Sequence, residues 1–207
     1  GRTKVEVFAG RVRQINPYIK LELHGHGVTP DNVEAMVAQA DVVVDAIDVT
    51  GRSGLEMKYL LHRVCQRQYK PVVCGYDMAA AQYIPVFDYR NPDLAVLDNQ
   101  LSAEQVATLD PMQACSFLIP VECVPLEMYA ELDRHLAGKD YTSQLGIAAH
   151  LFGTLATALI IDLLNGRSIR EAVYVDVWEL IRRRDAQAER EHRLLLEQGR
   201  QALSQWR

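Results

Sequence analysis

The run Ala40-Asp41-Val42-Val43-Val44-Asp45-Ala46-Ile47-Asp48 constrains this chain more than any other stretch. Its near-continuous Val/Ile centre reads as a strand buried on both faces, which belongs in a parallel sheet covered by helices. Ligands of open parallel sheets sit just beyond the carboxyl ends of the strands. The run therefore carries Asp45 and, three residues on, Asp48 to the place where a substrate or a metal-bound phosphate would lie.

The flanking pattern alternates helix and strand. Val5, Phe8, Val12 and Ile15 repeat every three to four residues and predict a helix over 3–15, ended by Asn16-Pro17. Residues 18–23 alternate and read as a strand, and Thr29-Pro30 starts a short helix running through Val37. A helix over 54–68 with Leu55, Leu60, Leu61 and Val64 inward follows the Asp41–Asp48 strand, then short strands over 70–75 and 83–89. The stretch 91–141 is irregular, with four prolines, a small helix capped by Ser102 and Gln105, and a helix over 126–136. So long an excursion reads as a crossover or lid. An apolar helix over 143–164 ends at Asn165-Gly166, a last strand covers 172–175, and a charged helix covers 178–207. The predicted class is α/β: a Rossmann-like, doubly wound, mostly parallel sheet with an irregular crossover loop and a long C-terminal helix.

Composition removes several function classes. A length of 207 residues suits one α/β domain with an appendage, and a net charge of −5 argues against bulk nucleic-acid binding. Cys65, Cys74, Cys115 and Cys123 form no CxxC pair and read as reduced thiols of a cytoplasmic protein. No signal peptide is visible. Residues 145–164 have the length of a bilayer span, yet they include His150 and Asp162 and lack aromatic belts, so they read as a buried core helix rather than a membrane segment. His24 and His26 flank Gly25 at a metal-like spacing, but without a third ligand they read as an exposed loop. The charged C-terminal stretch reads as a solvated surface helix, with contact to a partner as the alternative.

Four landmarks together carry a family resemblance: Gly1-Arg2-Thr3-Lys4-Val5-Glu6, Ile15-Asn16-Pro17, the Asp41–Asp48 run and Lys70-Pro71-Val72-Val73-Cys74-Gly75. In order and spacing they resemble the ThiF/MoeB/HesA family, adenylyltransferases related to ubiquitin-activating enzymes. The resemblance covers residues 1–90 and 142–178. It implies an enzyme that uses ATP and Mg2+ to adenylate the C-terminal carboxylate of a ubiquitin-like or sulfur-carrier protein or peptide. It also implies a homodimer through the 143–165 helix. By the same resemblance, Lys4 matches a lysine that contacts the ATP phosphates, and Asp48 matches the carboxylate that holds the nucleotide's Mg2+. A lysine point charge can neutralise charge on transferring phosphoryl groups, and a carboxylate with waters is the ordinary protein share of a Mg2+ site. Read by themselves, Lys4 is a solvated lysine at a helix start and Asp48 a strand-end cap. Asp45 is expected to hydrogen-bond a neighbouring loop.

Departures from the family pattern shape the expectation further. The Gly-rich phosphate loop, acid and arginine that precede the lysine motif in the family have no counterpart here. The chain is therefore expected to be the incomplete adenylation domain (1–176) of a longer protein, inactive alone, with 91–141 as its crossover region and 177–207 as an added charged helix. Val49 stands where the family usually has Asn, and Arg52 falls one place short of the family arginine while remaining within reach of a phosphate. Thr142 takes the place of the acceptor cysteine, which leaves Cys123 or Cys115 as substitute nucleophiles among neighbours that do little to activate a thiol. Without paired CxxC motifs no zinc is expected. The alternative is a degenerate scaffold that dimerises or binds a partner without ATP turnover. A nicotinamide-binding domain is disfavoured by the missing glycine fingerprint.

Overall fold

The computed structural model describes residues 1–136, 138 and 145–207, so Thr142 and the first residues of the expected 143–164 helix lie outside the described residues. Helix α1 (Lys4–Ile15) starts at a reciprocal capping box between Thr3 and Glu6. Helix α2 (Val33–Gln39) begins three residues later than Pro30, because Asn32 Oδ1 accepts from the Thr29 amide and holds 29–32 as a turn. Then come β1 (Val43–Asp45), α3 (Arg52–Arg67), β2 (Val72–Cys74), β3 (Tyr76–Met78) and β4 (Ala81–Phe87). The crossover region holds α4 (Ala103–Thr108), with the Ser102/Gln105 capping box, α5 (Pro111–Leu118), capped by Asp110, and α6 (Leu126–Leu136). Helix α7 (Gly146–Leu164), β5 (Ala172–Asp176), α8 (Val177–Ile181) and α9 (Ala186–Trp206) complete the chain.

The five strands run β1-β2-β4-β3, with β5 also on β4. Among the described residues only β1–β2 is parallel; β2–β4, β3–β4 and β4–β5 are antiparallel, which corrects the mostly parallel sheet expected above. The reason lies in the connections. A parallel pair joined in sequence needs a long crossover, which α3 supplies between β1 and β2, whereas β3 turns straight into β4 through Ala79-Ala80. No glycine marks that turn: Ala79 itself takes a φ of +52°, so the hairpin left no signal in the sequence. The expected strand over 18–23 is irregular, with Tyr18, Ile19 and Leu23 exposed. Alternation makes a strand only where a neighbouring strand takes up its backbone groups.

Side-chain alternation along β2 sorts the core into two layers. Val72 and Cys74 face α2, α3 and the crossover helices, in a cluster with Val33, Val37, Leu55, Leu61, Leu101 and Leu118. Val73, Ile84 and Val86 face α7 through Phe152, Leu155, Ala156, Leu159 and Leu163. Gly75 permits that approach, because a Cβ there would lie 2.6 Å from the Phe152 ring. Helix α7 departs from the buried core helix expected: Ala148, Ala156 and Leu163 are buried, but Ile161 and Leu164 are exposed. By length and composition it is apolar enough to cross a membrane, and one side of it covers the sheet.

The charged C-terminal stretch is a clasp rather than a freely solvated helix. Gly199 of α9 lies against the Tyr129 ring of α6, and Leu203 is buried. Arg207 donates to the Ser116 and Ile119 carbonyls, Arg200 to the Glu122 carbonyl, and Gln113 to the Trp206 carbonyl. The end of α5 leaves carbonyls without helical partners, and the basic tail of α9 satisfies them.

Candidate functional site

The carboxyl end of β1 meets α3 in a cluster of charged groups that water does not reach. Asp45, Lys58, His62 and Cys74 are all fully buried. Lys58 and His62 are four residues apart, so they share one face of α3, and both point at the same oxygen. Lys58 Nζ lies 2.5 Å from Asp45 Oδ2 and 3.1 Å from Cys74 Sγ, and sits over the Tyr76 ring. His62 Nε2 lies 3.0 Å from the same Oδ2. The other ring nitrogen, Nδ1, is 2.8 Å from the Tyr89 hydroxyl, which in turn accepts from the Leu97 amide at 3.0 Å. The Asp45 carboxylate can only accept, so Nε2 carries the ring proton, and the neutral ring that desolvation favours accepts the Tyr89 proton at Nδ1. The Leu97 amide belongs to a strained turn in which Leu97, Asp98 and Asn99 all have positive φ.

Electrostatics follow from this geometry. Burial alone would raise the Asp45 carboxyl, but the Lys58 ammonium and the His62 hydrogen bond more than reverse that and hold it far below the usual carboxylate range. Burial alone would lower Lys58, and the Cys74 sulfur and the Asp45 carboxylate push it above its ordinary value. Desolvation keeps His62 below its ordinary value, and it pushes the Cys74 thiol up to about 12. Asp45, His62 and Cys74 bring three ligand atoms within 4.8 Å of one another, a donor set suited to a soft divalent metal. The Lys58 ammonium already fills the position such a cation would take.

Asp48 lies three residues beyond this cluster and is exposed. Its Oδ1 accepts from the Thr50 amide at 2.9 Å and the Thr50 hydroxyl at 2.8 Å, while Oδ2 has no hydrogen-bond partner among the described residues. Two contacts fix the loop around it. Asp45 Oδ1 accepts from the Ile47 amide at 3.0 Å. The first turn of α3 presses on the Asp48 carbonyl, since a Cβ on Gly54 would stand 1.8 Å from that oxygen. Val49, where the resemblance leads one to expect Asn, is buried in the core.

None of the other residues singled out in the sequence bonds to the Asp48 carboxylate among the described residues. Lys4 is exposed in the first turn of α1 and makes no hydrogen bond or ion pair among the described residues. Arg52 is engaged elsewhere: its guanidinium donates to the Val106 and Leu109 carbonyls and ties α3 to the end of α4. Cys123 is half-buried, and burial with the Glu122 charge pushes its thiol up to about 11. Cys115 is pushed up to about 11 by burial, with Lys58 opposing the shift and Asp48 adding to it. From an ordinary value of 9.0 these shifts cut the thiolate fraction of Cys115 and Cys123 about a hundredfold. Iodoacetamide labelling of the native protein, followed by mass spectrometry, should find both thiols slow and Cys65 and Cys74 unmodified; alkylation of either at the rate of a free cysteine would contradict the assignment.

Sequence reasoning overlooked Lys58, His62 and Tyr89. A signal existed for the first two. Leu55, Lys58, His62 and Cys65 fall at helical spacing on the inward stripe of α3, where a lysine and a histidine are out of place.

Comparison with known proteins gives the family. A family model described as the ThiF family matches residues 1–194. The adenylyltransferase and sulfurtransferase MOCS3 of Anopheles gambiae is 33% identical over 90 residues, covering 44% of this chain and 19% of that protein. The SAMP-activating enzyme E1 of Haloferax volcanii is 39% identical over 75 residues, 36% of this chain and 26% of that protein. MOCS3-2 of Zea mays, also named an adenylyltransferase and sulfurtransferase, is 30% identical over 89 residues, 43% of this chain and 17% of that protein. The matched stretches thus span about a fifth of the length of these curated relatives.

Proposed function

This chain belongs to the ThiF family, and from that premise we propose that it is the metal-binding, substrate-facing part of a Rossmann-like adenylyltransferase. The enzyme uses ATP to activate the C-terminal carboxylate of a ubiquitin-like or sulfur-carrier protein in the cytoplasm. The observation that carries this reading is the exposed Asp48 carboxylate beyond the end of β1, with one oxygen held by Thr50 and the other open to solvent. An oxygen so presented fits a hard cation that keeps most of its waters. Bound there, Mg2+ would neutralise charge on the nucleotide phosphates during adenylation.

The protein's own groups do the holding. Thr50 orients the carboxylate, Gly54 packs against its backbone, and Arg52, in the first turn of α3, ties that helix to the end of α4. Lys4 is assigned to the phosphates by the family pattern. The raised thiols of Cys115 and Cys123 favour chemistry that stops at the acyl-adenylate. The test is ATP–pyrophosphate exchange by the full-length protein with its carrier present. Asp48→Ala is expected to lower exchange about a hundredfold or more while the fold is kept, and retained exchange would refute the assigned role.

The engagement of Arg52 and the exposed apolar flank of α7 favour a second reading. Here the protein is a scaffold that pairs through α7 with a second copy and does not turn over ATP. Calorimetry with ATP and Mg2+ separates the two, since a scaffold gives neither heat nor a thermal shift.

A further inference from the structure

Building on the reading of Asp48 as the Mg2+ ligand, we propose that Lys58 and His62 are positioning residues for that carboxylate, acting through Asp45. Stability alone does not account for the cluster, because well-packed apolar side chains usually serve a fold as well as a buried ion pair does. The same stripe of α3 offers apolar neighbours in Leu55, Leu61, Val64 and Cys65. What the ionic groups supply is direction. Lys58 and His62 clamp Oδ2, which leaves Oδ1 turned toward the Ile47 amide at the point where the chain leaves the sheet.

The next residue is Asp48, whose carbonyl rests under Gly54. The loop is thus held to α3 twice, by side chains before Asp48 and by backbone at it. Tyr89 extends the chain of bonds from His62 to the strained turn at Leu97 in the crossover region. Without the clamp, Asp48 keeps its bonds to Thr50 and the Gly54 contact at its carbonyl, and loses the hold on the residues before it.

Mn2+ binding in the presence of ATP, measured by electron paramagnetic resonance on the full-length protein, tests this with Mn2+ standing in for Mg2+. His62→Leu keeps the volume and loses both hydrogen bonds, and it is expected to weaken Mn2+ about tenfold or more, as loss of a group that orients a metal ligand does. His62→Gln, whose amide can donate to Asp45 and accept from Tyr89, is expected to recover affinity to within about threefold. A folded His62→Leu protein with unchanged affinity would overturn the proposal. If that variant does not fold, Tyr89→Phe removes a single hydroxyl; about threefold weaker binding supports the proposal, and unchanged binding overturns it. Asp48→Asn separates the two levels. If it binds Mn2+ like the wild type, or if the wild type does not bind at all, the metal role falls and the positioning role with it. If Asp48→Asn loses the ion and His62→Leu does not, only the positioning role falls.

Discussion

Lys58→Met is expected to lower the stability of this protein by about 3–5 kcal/mol near pH 7, the usual loss when one partner of a buried ion pair is removed. Lys58 and Asp45 are fully buried and 2.5 Å apart, so the substitution leaves a carboxylate in the core with no cation beside it. His62 and the Ile47 amide still donate to it, but both are neutral. Urea unfolding measures the loss. A pairing of Lys58→Met with Asp45→Val should be milder than Lys58→Met alone, because nothing charged then remains buried. Equal or greater loss in the double variant would show that the unpaired carboxylate does not set the effect, since the valine also deprives the His62 and Ile47 N–H groups of their acceptor.

The same cluster fixes the pH profile. The Asp45 carboxyl is depressed from 3.8 and His62 from 6.5, so the unfolded chain binds protons more readily than the native one at acid pH. Stability is therefore expected to fall as pH drops below about 6.5, as His62 takes a proton only on unfolding, and more steeply below about 4 through Asp45. On the alkaline side the buried thiols of Cys65 and Cys74, raised from 9.0 to about 12, ionise first in the unfolded chain. Stability then declines above about 9. Lys58, raised from 10.5, contributes fully below that value and loses its contribution only above it. Urea midpoints from pH 4 to pH 10 should show a plateau between these limbs, and a profile flat down to pH 4 would contradict the cluster.

Gly54→Ala is the second large effect. Alanine is the better helix former by up to about 1 kcal/mol, so an unobstructed Gly54 would make the change stabilising. Here the added methyl would stand 1.8 Å from the Asp48 carbonyl oxygen, a backbone atom that no rotamer can move aside. Either the start of α3 or the Asp48 loop must shift, and we expect a net loss of about 2 kcal/mol or more, in the range of core overpacking. Thermal unfolding gives the magnitude, and the amide resonances of residues 47–50 report the displacement. A higher melting temperature with unmoved resonances would show that α3 does not press on that loop.

Most elements could be read from local chemistry. The Ser102/Gln105 box and the Asn165-Gly166 stop act within one helical turn, and each appears where its residues predict. The strand in the Asp41–Asp48 run was readable in place but not in extent: only Val43–Asp45 pairs, and Val44 is exposed rather than buried, because β1 lies at the sheet edge and one of its faces is not covered. The β3–β4 hairpin was not readable, since Ala79 carries no turn signature. Nor was the docking of α9, where charged side chains meet carbonyls of α5 and of the turn after it that no sequence window contains.

The division has a physical basis. Sequence by itself determined the family, the order of the main helices and strands, and the placing of Asp48 just beyond the carboxyl end of a Val-rich strand, because these rest on propensity, periodicity and motifs within a few residues; that this strand is the sheet edge was decided by the fold. Tertiary structure decided what that strand end is made of. Asp45, Lys58, His62, Cys74 and Tyr89 come from three elements and a loop, and only folding removes the water that makes their charges matter to one another. It also decided that Arg52 holds the crossover and that most of the sheet is antiparallel, since pairing partners are chosen by the path of the whole chain.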